Sequence, residues 1–229
     1  MKILSLESSG ESCSVALCNE DRLYSQIRTE ARQHAKLFLP LIDEVLAESG
    51  LALTDLDAIA FGQGPGSFTG VRICMSVVQG LAFGAQLPVI PVSTLAATAA
   101  AYFAKNSSVT STVSVGLDAR MSEVYLGKYQ LHNGVVVAKQ NEAVLGFDSA
   151  IELIEREEIL VGSAWALDAF SQLREDAPEC QPDVFASALD ILAVAKGKFV
   201  DGELQDIGSV EPVYLRDEVA WEKRVRIRN

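Results

Sequence analysis

Histidine is nearly absent. His34 and His132 are the two in 229 residues, and they stand far apart. Neither belongs to an H-E-x-x-H or H-x-x-x-H pair, the spacings that put two imidazoles on one helix face for zinc or iron. No metal site is assigned. His34 reads as a helix-edge residue and His132, in an Asn-Gly turn, as solvated. The four cysteines (Cys13, Cys18, Cys74 and Cys180) form no C-x-x-C and suit no common zinc module. They read as reduced core residues. The opening Met1–Glu7 is too short and too soon acidic for a signal peptide. No uninterrupted apolar run reaches about 18 residues, so no membrane span is expected and the cytoplasm is the expected location. The loop after Phe61 lacks G-x-S-x-G, so a Ser-His-Asp triad has little support.

Positive charge is also in deficit. Nineteen basic residues face thirty-one acidic ones, a net of −12. Such a chain repels nucleic acid and anionic membranes, which argues against binding tRNA or DNA alone. The exception is the end. From Arg216 onward five basic residues meet three acids, and the segment reads as a solvated basic tail or a phosphate contact. Apolar residues make up 49%, charged residues 22%, and mean hydropathy is +0.20. Those values exclude a disordered chain, a coiled coil and a collagen repeat. The length fits one large domain or two small ones.

The pattern predicts an α/β chain. Strands over 2–6, 13–18 and 23–28 form an opening meander. A helix follows, with His34, Leu37, Phe38, Leu41, Ile42, Val45 and Leu46 at a 3.6-residue period; it contains Pro40 and ends at Gly50. A strand over 56–61 leads into Gly62-Gln63-Gly64-Pro65-Gly66-Ser67-Phe68-Thr69-Gly70. A helix over 71–83 is next, apolar or small nearly all round and so expected to be covered on more than one side. A strand over 89–92 precedes an Ala-rich helix capped by Ser93 or Thr94. After a polar crossing at 105–112, strands are predicted over 113–117, 124–131 and 135–139, with Asn133-Gly134 as a hairpin turn. Helices over 148–156 and 186–198 flank a strand over 159–161. The first half thus recurs imperfectly. Two lobes are expected, 1–104 and a smaller 105–211, with 212–229 completing the first.

Two features bear on function. The glycine loop lies between a strand and a helix, where exposed amides favour an anion. It matches neither G-x-x-x-x-G-K-[ST] nor G-x-G-x-x-G, and it offers Arg72 in place of a lysine. An anion-contacting loop, using Ser9, Gly10, Gly64, Gly66, Ser67 and Thr69, and a rigid packing turn both stay open. On the following helix, Ser76, Gly80 and Gly84 recur every four residues and leave one face almost bare. Arg72, Ser76, Gly80, Phe83 and Gly84, with His34, Leu37, Phe38, Leu41, Ile42 and Val45 of the preceding helix, are assigned to a subunit interface. Glu7, Glu11, Asp118 and Glu123 are not diagnostic alone. Asp118-Ala119-Arg120 reads as an ion pair after a buried strand.

These segments resemble the bacterial TsaB (YeaZ) family. The resemblance is carried by Ser14–Leu17, His34 through Leu41, Gly62 through Arg72, Pro91–Leu95, Asp118–Arg120 with Glu123–Tyr125, and 212–216. It implies an actin-like, Hsp70-like fold of two lobes, each with a mixed sheet and flanking helices. It also implies an accessory, non-catalytic role in forming N6-threonylcarbamoyladenosine beside the tRNA anticodon. The implied partners are the metal-bearing TsaD transferase, a paralogue, and the TsaE ATPase. tRNA is met only through that complex, and a homodimer is an option in isolation. No cofactor is expected on the chain alone, and ATP or ADP is left to the assembled complex. Thr94 and Thr98 stand where the transferase carries its metal-binding histidines. Glu7 replaces an aspartate common in the first phosphate loop. In Gly162-Ser163-Ala164-Trp165 a Cβ and an indole are expected to crowd an adenosine. An independent ATP-dependent small-molecule kinase of the actin-like class is the alternative; it needs Glu7 or Asp118 to position magnesium.

Overall fold

The computed structural model describes residues 1–29, 34–211 and 215, without the side chains of His34 and Ala35. The basic end of the chain and the expectation that 212–229 completes the first lobe lie outside the described residues.

The first sheet has the order β3-β2-β1-β4-β5. Its strands are β1 (Lys2–Glu7), β2 (Cys13–Asn19), β3 (Arg22–Arg28), β4 (Ala58–Gly62) and β5 (Val89–Val92). The meander β1–β2–β3 is antiparallel; β4 and β5 join β1 in parallel. Strands β1, β2 and β4 are mostly apolar and buried on both faces, as a place between two helical layers requires. Two helices cover one face, α1 (His34–Ser49) and α2 (Phe68–Ala85). Phe38, Leu41, Val45, Cys74 and Val78 meet Leu4, Leu6, Val15 and Leu17 there.

The second sheet repeats the plan with the order β11-β10-β6-β7-β8. Its strands are β6 (Val113–Arg120), β7 (Glu123–His132), β8 (Val135–Ala138), β9 (Ala143–Gly146, also on β7), β10 (Ile159–Val161) and β11 (Cys180–Gln181). Asn133 (φ 51°) and Gly134 (φ 79°) turn β7 into β8 as the Asn-Gly signal predicts. α3 (Thr94–Lys105), capped by Ser93, lies between the sheets. It sends Ala97 to the first core and Leu95, Ala99 and Tyr102 to the second. The outer face of the second sheet is closed by α4 (Phe147–Leu153) and by Trp165 and Phe170, whose rings meet edge to face. The short α5 (Ser171–Asp176) follows.

The lobe boundary differs from the expectation. α6 (Ala188–Val200) returns to the first sheet, where Ala188, Ile191, Leu192 and Ala195 pack on Ile3, Ala16, Ala58 and Ile90. Ser14 and Ser5 hydroxyls pin its first residue: Ala188 N–H donates to Ser14 Oγ (2.9 Å), and Ser5 Oγ donates to Ala188 O (2.7 Å). Gln205 then bridges Val89. The first lobe therefore takes residues from about 188 onward that the sequence assigned to the second.

The helix faces also differ. Phe38, Leu41, Ile42 and Val45 are at most 2% exposed, so these expected interface residues are spent on the chain's own core. Leu37 is half-buried against the same core. α2 is not covered all round. By length and composition it is able to cross a membrane. Here Val71, Cys74, Met75, Val78 and Ala82 seat it on the sheet, while its far side is open.

Candidate functional site

The loops at the carboxyl ends of β1, β4 and β6 converge on a cleft of about 700 Å³ between the sheets. Open α/β sheets present their ligand crevices at this end. Four of the six expected loop residues line it: Ser9, Gly10, Gly66 and Ser67. Gly64 is buried and its carbonyl accepts the Thr94 N–H (2.9 Å). Thr69 faces a separate groove on α2, as does Arg72, whose guanidinium lies 3.7 Å above the Phe68 ring.

The packing reading accounts for the glycine loop. Ser67 N–H donates to Ser9 O (2.8 Å), and Ser8 Oγ to Gly70 O (3.0 Å). A Cβ on Gly70 would lie 1.9 Å from Ser8 O, and one on Gly66 2.7 Å from Ser9 O. The glycines let the two loops interlock backbone to backbone. Ser67 also caps α2 by accepting the Gly70 N–H.

Beneath this interlock sits Glu7, 1% exposed. Its Oε1 accepts the Ser9 N–H (2.5 Å), while Oε2 has no partner and presses on Gly62, where a Cβ would lie 1.7 Å away. Burial pushes this carboxyl up to about 7, opposed by the Ser9 bonds and helped by the charge of Asp190. Burial likewise raises Asp190, in the first turn of α6. Glu7 points into the protein and does not line the cleft. Asp118 does line it, yet its Oδ1 accepts the Arg120 N–H (2.8 Å) and its Oδ2 pairs with Arg120 Nη1 (2.9 Å). The expected Asp118–Arg120 ion pair is present. Of the two carboxylates offered for the magnesium of a kinase, Glu7 is buried away from the cleft and Asp118 is paired with Arg120.

Thr94 and Thr98 both reach the cleft. Thr94 Oγ1 lies 3.1 Å from Ser9 Oγ, and Thr98 Oγ1 donates to Thr94 O (2.8 Å). These are neutral hydroxyl contacts, poorly suited to a transition metal. Among the described residues no group of three or more His, Cys, Asp or Glu is placed to hold one. The expectation for Trp165 is overturned. Its indole is fully buried and donates to Ser114 O and Val161 O, so it crowds nothing in the cleft. Ser163 lines the wall instead. Sequence reasoning missed Tyr125 and Phe185 as lining residues; Phe185 sits in an irregular stretch with no periodic signal.

The second surface is the open side of α2. Arg72, Ser76, Gly80, Phe83 and Gly84 are all exposed, Phe83 by 82%. A groove of about 380 Å³ runs between Phe68, Ile73 and Val77. His34's side chain lies outside the described residues.

Two mixed sheets with flanking helices, meeting at a cleft, define an actin-like two-lobed α/β protein. The family model of TsaD, tRNA N6-adenosine threonylcarbamoyltransferase, matches residues 22–168. The chain is 39% identical to the tRNA threonylcarbamoyladenosine biosynthesis protein TsaB of Escherichia coli, over 97% of this chain and 98% of that protein. It is 38% identical to the TsaB of Haemophilus influenzae, over 97% of each. The crystal structure of YeaZ from Pseudomonas aeruginosa superposes with a TM-score of 0.84 at 38% identity, covering 93% of this chain and 99% of that one. The chain belongs to the TsaB family.

Proposed function

We propose that this chain is an accessory scaffold subunit for tRNA threonylcarbamoyladenosine formation. It binds and supports a TsaD-like transferase together with a TsaE-like ATPase in the cytoplasm, and it meets tRNA only inside that complex. The open face of α2 carries the proposal. Phe68 and Phe83 stand exposed on the same helix as the bare positions Ser76, Gly80 and Gly84, and such a face lets a partner helix approach closely. The transferase model matches a stretch that includes α1 and α2, so the partner has a like helix pair to lay against this one. The same face serves a homodimer through an isologous contact. A non-catalytic part fits the threonines at 94 and 98, the buried Glu7 and the Asp118 paired with Arg120. Nucleotide, in this reading, belongs to the assembled complex.

Light scattering on a sizing column, with the chain alone and mixed with its transferase paralogue, tests the role. A mixed peak is expected. Gly80→Leu places a side chain where nothing lies within 4 Å, so the monomer folds and the mixed peak is lost. No mixed peak for the parent chain, even with the ATPase and ATP present, refutes the scaffold role. A mixed peak that survives Gly80→Leu moves the interface off α2.

A further inference from the structure

Of the sheet edges, one is both long and bare. β5 is met by Gln205, β11 has two residues, and β8 and β9 have four each. β3 has seven, all in unbroken register with β2, and among the described residues no strand lies on its other side. A folded chain usually blunts such an edge with a proline, a bulge or a central charge. β3 has none of these, and its arginines stand at its two ends.

The turn before β3 decides which groups face outward. Glu20 and Asp21 form a two-residue loop, so Asn19 and Arg22 exchange both main-chain bonds. Alternation then gives Tyr24, Gln26 and Arg28 to β2 and turns the N–H and C=O of Leu23, Ser25 and Ile27 outward. Ile27 O meets only its neighbour's side chain there, accepting from Arg28 Nη1 at 3.0 Å, and a carbonyl has a second lone pair. The side chains of Leu23, Ser25 and Ile27 share one face, beside Cys18, Ala16 and Ser14, on the side of the sheet that α6 covers. α6 leaves them open: Leu23 is 55% and Ile27 52% exposed.

The strand itself specifies an occupant. Arg22-Leu23-Tyr24-Ser25-Gln26-Ile27-Arg28 has nearly the same pattern in both directions. Turned antiparallel about Ser25, a second copy sets Leu23 against Ile27, Ser25 against Ser25 and Ile27 against Leu23. These are the pairs whose main-chain groups point outward, and the contact is self-complementary, as a two-fold axis requires. We propose that β3 pairs with β3 of a second copy in this register, joining two five-stranded sheets into one. Both apolar pairs fall on the same face and cover the exposed Leu23 and Ile27. Arg22 then faces Arg28 of the second copy, a charge that Glu44 of that copy already pairs at 3.2 Å. α1 and α2 lie on the opposite face of the sheet, so the open side of α2 stays available to a different partner.

Sedimentation velocity on the full chain tests the pairing. A single strand edge is a small interface, so a Kd of about 10–100 µM is expected. Leu23→Lys, at an exposed position, should weaken it about tenfold, because both copies of one cross-strand pair are lost. Adding Ile27→Glu to that variant sets opposite charges across both pairs and should return the Kd to within about threefold of the parent. A parent chain that stays monomeric up to about 500 µM overturns the pairing. So does a dimer that Leu23→Lys leaves unchanged, and one that Gly80→Leu abolishes while Leu23→Lys does not belongs to α2 instead. A double variant that fails to recover refutes the register. No transferase enters these runs, so their failure leaves the scaffold role untouched.

Discussion

Glu7→Gln isolates the cost of placing a carboxyl under the loop interlock. In the folded chain this group titrates near 7 rather than 4.5, because burial disfavours its charged form. Below pH 4.5 both folded and unfolded chains hold the proton and the residue costs nothing. Between 4.5 and 7 the unfolded chain releases it while the folded chain keeps it, so stability falls. Above 7 the loss is complete and constant. A displacement of this size corresponds to about 3 kcal/mol. Glutamine keeps the length and an acceptor for the Ser9 N–H but does not ionise. It leaves an amide where Oε2 stood, a pH-independent cost of about 1 kcal/mol. The slope is therefore diagnostic and the offset is not. Urea unfolding at half-unit steps from pH 4.5 to 8.5 should show the variant gaining on the parent by about 3 kcal/mol up to pH 7, then running parallel. Asp190 titrates in both chains, and Cys13 is pushed up to about 12 by burial, outside the window. Parallel curves across the whole range would refute the reasoning.

Phe38→Ala, at a position fully buried on the first sheet, should cost about 3–5 kcal/mol in urea unfolding, as a core residue does and a docking residue does not. Ser122→Gly should stabilise by about 0.5–1 kcal/mol, read as a rise in thermal midpoint, because Ser122 sits at φ 60° after Arg120 and Met121 at 63° and 56°. Lys128→Met strands Glu158, whose Oε1 lies 2.6 Å from Lys128 Nζ with both side chains under 9% exposed. It should cost about 3–5 kcal/mol, and only part of that should return in the double variant with Glu158→Leu, because the buried Ser114 hydroxyl then loses its acceptor; the cycle is measured by denaturant unfolding.

The regular elements were legible because their signals are local. The meander, the 3.6-residue period of α1 and the Asn133-Gly134 turn each depend on neighbours within a few residues. The return of α6 was not legible, since its hydrophobic stripe names no sheet; its partners, Ile3, Ala16, Ala58 and Ile90 with the Ser5 and Ser14 hydroxyls, lie far back in the chain. The same limit explains the interface. A buried stripe and a docking stripe look alike in sequence, and α1 spent Phe38, Leu41, Ile42 and Val45 inward while α2 left Ser76, Gly80 and Gly84 outward. The glycine loop was left between phosphate and packing because nothing nearby in sequence shows that Ser8 and Ser9 press against Gly66 and Gly70. Trp165 was misplaced for a related reason: its partner carbonyls, at Ser114 and Val161, turn the indole into the second lobe.

The late return of α6 also bears on how the chain is made. Its first sheet is fully synthesised at Val92, but beyond Ala97 of α3 the cover for one face begins at Ala188. At roughly 5–20 residues per second, Ile3, Ala16, Ala58 and Ile90 wait several seconds on the ribosome for the helix that buries them. The second lobe lies within that interval, and all of it emerges before the first can close. A nascent chain stalled before residue 188 should therefore present an apolar sheet face to trigger factors and chaperones, and release should coincide with the arrival of α6 rather than with the end of the first lobe's strands.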